Sequence, residues 1–238
     1  MATVLAEVST YDEVAAEYYD SSRHPTCANF WELSNAFLVP RIQRLASAPR
    51  ILEVGCGRSI AAAALAEGTH ALNALTLIDQ SPRMLAHSLD WKTRGAQLKI
   101  ADAQATGLNS NNYQLLVSSL GDPYNGQPFW NEVYRLLTAG GVCLFTTPSR
   151  EWAERLRAKS ELSVAEFLRA DGVKIFVRSE ISDLDEQIEM IERSGLRVDE
   201  IRSFTAADIS GRRSPKLLVT EHTLESVIVR GFSISKQA

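Results

Sequence analysis

Ile51-Leu52-Glu53-Val54-Gly55-Cys56-Gly57-Arg58-Ser59 is the stretch whose reading decides the fold. Ile51, Leu52 and Val54 form the short apolar run that a strand buried on both faces requires. Glu53 interrupts it, and Gly55 and Gly57 follow with one residue between them. Glycine has no Cβ to forbid positive φ, so the chain can turn tightly here and let another group approach its backbone. Ser59 is placed to cap a helix over residues 60–67, which Gly68 can end. The nonet predicts strand, tight loop, helix. Such turns occur in dinucleotide-binding folds and in loops that hold no ligand, so the flanking sequence has to choose between them.

Downstream the pattern repeats. Residues 74–79 are a second buried run, ending in Asp79, and Ser81 and Pro82 suit the N-cap and first position of another helix. An acid at a strand tip roughly 20 residues beyond the glycines is where a bidentate carboxylate holds a ribose diol. A simple helix-start charge is the alternative for Asp79. Residues 98–102 are a third short strand ending in Asp102, and residues 113–119 a fourth, placed after an Asn-Ser-Asn-Asn turn. Strand tips of a parallel sheet face its ligand crevice, so Ser118, Ser119, Leu120 and the loop 121–125 are expected to line it. Residues 128–137 read as a helix opened by Pro128 and followed by Gly140-Gly141, and residues 142–147 as a fifth strand. Strand–helix units at this spacing argue an α/β chain built on a parallel sheet.

Upstream, residues 11–20 read as an amphipathic helix with an aromatic end, Tyr18-Tyr19. A loop broken by Pro25 brings His24, Cys27 and Asn29 together, and one His with one Cys is too few for a metal site. Residues 31–45 read as a helix bent near Pro40. Beyond the fifth strand the pattern changes. Residues 152–158 and 163–170 read as two helices, the second carrying a Ser163/Glu166 capping-box spacing and stopped by Gly172. Residues 173–177 could form a strand. Residues 183–194 are a helix ended by Gly195, residues 196–204 an alternating strand, and residues 225–233 the last strand. The basic loop 211–216 reads as a solvated charge run, with contact to an anionic substrate as the sharper alternative.

Composition sets bounds. The 238 residues, 45% hydrophobic and 23% charged, suit one α/β domain with an insertion and a sizeable core. A net charge of −4 weighs against a long nucleic-acid footprint, which needs a basic face. The 3 cysteines show neither zinc spacing nor a disulfide framework, which points to a reducing cytoplasm. No signal pattern or membrane-spanning apolar run is visible.

Taken together, the nonet, the run "LIDQSPRML" around Asp79 and the run "EVYRLLTAGGVCLFTTPS" resemble the class I S-adenosylmethionine-dependent methyltransferases, whose first motif is acid-x-Gly-x-Gly-x-Gly. Ser59 stands at the third glycine. A nicotinamide enzyme is the weaker rival, because its fingerprint expects Gly where Ile60 stands. The resemblance implies a doubly wound, seven-stranded, mostly parallel Rossmann-like sheet with an antiparallel last strand, N-terminal helices and a small helical insertion after the fifth strand. It divides the chain into an N-terminal helical cap, 1–47, and a cofactor-binding core, 48–238, whose insertion at about 149–181 shapes the substrate side.

For S-adenosylmethionine the resemblance implies a site from Glu53, Gly55, Cys56 and Gly57 at the first loop, and Asp79, Gln80 and Met84 at the second. It adds Asp102 and Ala103 at the adenine, Ser118 and Ser119 at the fourth strand tip, and Tyr11 from the cap. Asp122-Pro123-Tyr124 is similar to the Asp/Asn-Pro-Pro-Tyr motif of amino-group methyltransferases, less one Pro, and a tight turn set by Gly121 and Pro123 is its plain alternative. Candidate bases are Asp122, His24 and Tyr19, with Tyr124 orienting the acceptor. The resemblance thus implies methyl transfer to a nitrogen or oxygen of a small-molecule acceptor, by a monomer or homodimer with no metal and no membrane partner. A nucleic-acid N-methyltransferase and a catalytically silent cofactor-binding protein are the alternatives.

Overall fold

The computed structural model of the chain describes residues 9–157, 163–217 and 225–237. Five strands come first: β1 Ile51–Val54, β2 Leu75–Asp79, β3 Gln97–Ile100, β4 Tyr113–Ser118 and β5 Leu137–Pro148. A hairpin follows, β6 Val164–Leu168 and β7 Lys174–Arg178, and then β8 Leu196–Thr205 and β9 Val227–Lys236. The helices are α1 Pro25–Arg44, α2 Ile60–Glu67, α3 Pro82–Leu85, α4 Leu89–Thr93, α5 Gln127–Leu136, α6 Arg150–Leu156 and α7 Leu184–Arg193.

Seven strands form one sheet in the order β3-β2-β1-β4-β5-β9-β8. β3, β2, β1, β4 and β5 pair in parallel, and β9 runs antiparallel between β5 and β8. This is the doubly wound sheet expected from the alternation. Ile51 lies level with Leu75 on one side and Leu115 on the other, so apolar runs meet apolar runs in register. All four residues of β1 are buried because both sheet faces are covered. One core cluster packs α1 and α2 residues such as Phe37, Leu38 and Leu65 against Ile51, Leu77 and Leu115. The opposite cluster packs Phe129 and Trp130 of α5 and Ile191 of α7 against Leu52, Leu116 and Phe145. The parallel order puts the tips of β1, β2 and β4 on one edge, with the loops that carry the candidate site residues.

Several local expectations are corrected. Residues 11–20 do not form a helix: a single 3-10 turn, Tyr11–Glu13, is followed by turns. A helix would hold Tyr11, Tyr18 and Tyr19 to helical spacing, whereas here Tyr11 and Tyr18 pack edge-on at 5.9 Å and both meet Phe167 of the hairpin. Pro25 does not break the chain but opens α1, where its missing N–H costs nothing, and α1 continues through Pro40. The insertion is only partly helical, because residues 164–168 form β6 and not a helix. Glu166 there faces Lys174 across the hairpin at 3.0 Å, and Phe167 points into a small core with Val14, Ile175 and Val177. The N-terminal segment joins this hairpin, with Ser9 N–H donating to the Phe176 carbonyl at 2.7 Å.

Candidate active site

At the carboxyl edge the loop after β1 carries two left-handed glycines, Gly55 at φ 61° and Gly57 at φ 40°. A Cβ on Gly55 would collide with the Tyr124 hydroxyl, and one on Gly57 with the Tyr19 hydroxyl. The loop is therefore bare backbone at the bottom of a crevice, roofed by phenols. Glu53 anchors it from below. Its buried carboxylate accepts from the Ser59 hydroxyl and from the N–H groups of Ile60 at 3.0 Å and Ala61 at 3.2 Å, neutralising the amino end of α2. Burial pushes the Glu53 carboxyl up to about 7. Glu53 thus faces the helix and not the crevice.

Asp79 at the tip of β2 lies beside that loop. Its Oδ2 accepts from Gly57 N–H at 3.0 Å and its Oδ1 from Ser81 N–H at 2.9 Å. Each carboxylate oxygen keeps a second lone pair for a ligand. Burial raises its pKa, against those backbone hydrogen bonds. Beyond the tip of β3, Asp102 Oδ1 is turned by Gln104 N–H at 2.9 Å. A cavity of about 430 Å³ runs along this edge. Tyr11, Gly55, Cys56, Asp79, Gln80 and Met84 line it, as do Asp102, Ala103, Ser119 and Tyr124.

The cover comes from the N-terminal segment. Asp12 accepts from the Ser81 hydroxyl and, at 3.1 Å, from Arg83 N–H at the start of α3. His87 Nε2 donates to the Ala15 carbonyl at 2.8 Å. These bonds hold Tyr11, Tyr18 and Tyr19 over the cavity, opposite Trp31 of α1.

The catalytic candidates divide. Tyr19 and Tyr124 line the cavity, but Asp122 and His24 are buried outside its wall. The Tyr124 hydroxyl donates to the Val54 carbonyl and pairs with the Ser118 hydroxyl, each at 2.9 Å, so Ser118 faces Tyr124. Asp122 turns the other way and accepts from the Ser179 hydroxyl at 2.5 Å. Burial pushes its carboxyl up to about 6. His24 lies edge-on to Phe167 at 5.4 Å, with burial lowering its pKa. Gly57 sits just behind the wall, its N–H on Asp79. The wall also holds Asp12, Tyr18, Trp31, Arg58, Gln104 and Arg178, which sequence reasoning did not single out. The Tyr18-Tyr19 pair was visible as an aromatic end, but nothing local joins Trp31 or Arg178 to the glycine loop.

Residues 52–145, the stretch from β1 into β5, match the family model described as a methyltransferase domain. The chain is thus similar to methyltransferase domains over the strands and loops that build the crevice edge. No curated protein matches it. Among solved structures, the chain is similar in fold to an S-adenosylmethionine-dependent methyltransferase from Mesorhizobium loti, at 16% identity over 82% of this chain and 96% of that one, TM-score 0.57. It is similar to the PH0226 protein of Pyrococcus horikoshii at 11% identity over 97% of this chain and 100% of that one, TM-score 0.67. The CcbJ methyltransferase of Streptomyces caelestis aligns at 15% identity over 96% of this chain and 97% of that one, TM-score 0.63.

The methyltransferase domain and the S-adenosylmethionine-dependent methyltransferase that the chain resembles imply S-adenosylmethionine as its cofactor. Its residues fit that group: a Cβ-free loop, an oriented acceptor pair on Asp79 for a diol, and a further acid, Asp102, along the same cavity. Among the described residues, no group of three or more His, Cys, Asp or Glu could hold a metal ion. Nor is any helix there long and apolar enough to cross a membrane.

Proposed function

We propose that the chain transfers a methyl group to a nitrogen or oxygen atom of a small-molecule acceptor held beneath the N-terminal cover. One observation carries this. Asp79 and Asp102 line the same cavity as Tyr11, Tyr18, Tyr19 and Trp31. Nucleoside site and aromatic chamber are thus continuous, and their volume lies in the range of small-molecule sites. Residues 9–47 and the β6–β7 hairpin then serve as the acceptor-side cover of the core.

S-adenosylmethionine, when bound, supplies a methyl carbon already activated by its sulfonium. What remains for the chain is to align an acceptor with that carbon and exclude water, which is worth a large share of such a barrier. Asp79 fixes the nucleoside end. Tyr11, Tyr18 and Tyr19 line the same cavity. Burial raises the Tyr19 and Tyr124 hydroxyls above their ordinary values, so at neutral pH they donate and accept hydrogen bonds and do not act as bases. Asp122 and His24 lie off the wall. This favours an acceptor that attacks without prior loss of a proton, such as a neutral amine or an already ionised oxygen.

The test has two stages. Isothermal titration with S-adenosylhomocysteine should release heat and give one site. Incubation with methyl-labelled S-adenosylmethionine and a panel of small amines, phenols and carboxylates should then yield labelled small products. Binding without transfer to any acceptor would make the protein a silent cofactor binder, and label in RNA or DNA would transfer it to the nucleic-acid class.

A further inference from the structure

Two arginines line the cavity, and they are held very differently. Arg178 is bound to Glu180, its Nε 2.8 Å from Oε1. Arg58 has no carboxylate within ion-pairing distance among the described residues. Its guanidinium instead lies over two aromatic rings, 4.5 Å from the Tyr19 centroid and 4.6 Å from the Trp31 centroid. A ring face supplies no carboxylate oxygen, so the guanidinium keeps the N–H fork that matches a carboxylate bidentately.

The backbone at Arg58 is equally fixed. Its N–H donates to the Tyr19 hydroxyl at 2.7 Å. Ser88 clamps both neighbours: its hydroxyl donates to the Gly57 carbonyl at 2.6 Å and accepts from Ser59 N–H at 3.0 Å. The amino end of α2 is already neutralised by Glu53, so it does not compete for an anion. The other charged groups on the wall near this loop, Asp12 and Asp79, are both acids. A propped cation with no carboxylate partner among the described residues therefore stands on a stretch of wall whose other charges are acidic.

We propose that Arg58 is the anion-binding residue of this cavity, taking a carboxylate of a bound molecule on its N–H fork while Tyr19 and Trp31 pack against its guanidinium. This deepens the proposed methyl transfer and rests on that reading for its choice of ligands. A carboxylate can come from the amino-acid end of the cofactor or from the acceptor.

Isothermal titration of the full chain and of Arg58→Gln separates the two sources. The probes are S-adenosylhomocysteine, 5′-methylthioadenosine, which lacks the amino-acid end, and benzoate, titrated both into the free protein and into its S-adenosylhomocysteine complex. A roughly ten- to hundredfold loss for S-adenosylhomocysteine, with 5′-methylthioadenosine unchanged, assigns the carboxylate to the cofactor. Unchanged nucleoside binding with loss of benzoate assigns it to the acceptor. Either result supports the proposal, and Arg58→Lys should fall between wild type and Arg58→Gln because it keeps charge without the fork. Trp31→Leu, which leaves the cation but removes one prop, should weaken the same ligand less. Equal affinities of wild type and Arg58→Gln for every probe overturn the proposal. Wild type that ignores both nucleosides yet binds benzoate through Arg58 keeps it while sinking the methyl-transfer reading, and wild type that binds none of the three overturns both.

Discussion

Gly57 donates its backbone N–H to Asp79 Oδ2 at 3.0 Å, so the glycine loop after β1 and the acid at the tip of β2 form one unit. The bond orients the carboxylate, and the carboxylate holds the loop. A ligand that meets one meets both.

Asp79→Ala should therefore weaken S-adenosylhomocysteine by about a hundredfold, since hydrogen bonds to a charged group contribute roughly 1.5–3 kcal/mol each. Calorimetry checks this, with a thermal melt to show that the sheet is intact. A dissociation constant equal to that of the wild type would remove Asp79 from the ribose.

Gly57→Ala places a methyl group against the Tyr19 hydroxyl while forcing an L-residue to φ 40°. The left-handed backbone alone costs about 1–2 kcal/mol. The collision adds to it, and Tyr19→Phe should relieve that part, because the next ring atom lies 3.4 Å away. A double-mutant cycle read by chemical denaturation should show positive coupling between the two positions. Strict additivity would mean that the phenol and the loop do not press on each other.

Glu53 and Asp122 set a pH dependence of stability. Burial pushes Asp122 from 3.8 to about 6 and Glu53 from 4.5 to about 7. Between those limits the folded chain keeps a proton that the unfolded chain has released. The stability each group contributes is whole below its unfolded value and is lost as pH rises through its folded one. For Asp122 the loss is about 3 kcal/mol, at 1.36 kcal/mol per pKa unit. Asp122→Asn keeps an acceptor for Ser179 and should flatten the stability profile between about pH 4 and pH 7. Urea denaturation across that range measures the difference between the two proteins, and parallel profiles would contradict it.

Much of the fold was legible because its determinants are local. Apolar runs of four to six residues, each followed by a turn residue and a cap, mark β1, β2 and β4 whatever the rest of the chain does. Ser59, Ser81 and Asp183 accept from N–H groups of the helices they precede. The acid at the tip of β2 was legible for the same reason: in a parallel sheet every strand tip lies on the ligand edge.

Where local patterns are shared between structures, the sequence could not choose. Ser163 and Glu166 have the spacing of a helix cap, yet Glu166 meets Lys174 across a hairpin. Residues 11–20 alternate well enough for a helix, but their tyrosines are drawn to Phe167 and to the glycine loop. Asp122 and Tyr124 are near neighbours in one 3-10 turn and face opposite sides of it, one to Ser179 and one to the cavity.

The sequence by itself determined the strands and helices of the parallel core from β1 to β5, the bare loop at Gly55 and Gly57, and the acid beside it, because hydrophobic run length, backbone freedom and capping act within a few residues. Only the tertiary structure decided which side chains share the cavity. Tyr19, Trp31 and Arg58 come from three separate segments, and Asp122 leaves the wall through a bond to Ser179. Burial and charge pairing depend on distant segments packed together, and no window of sequence contains them.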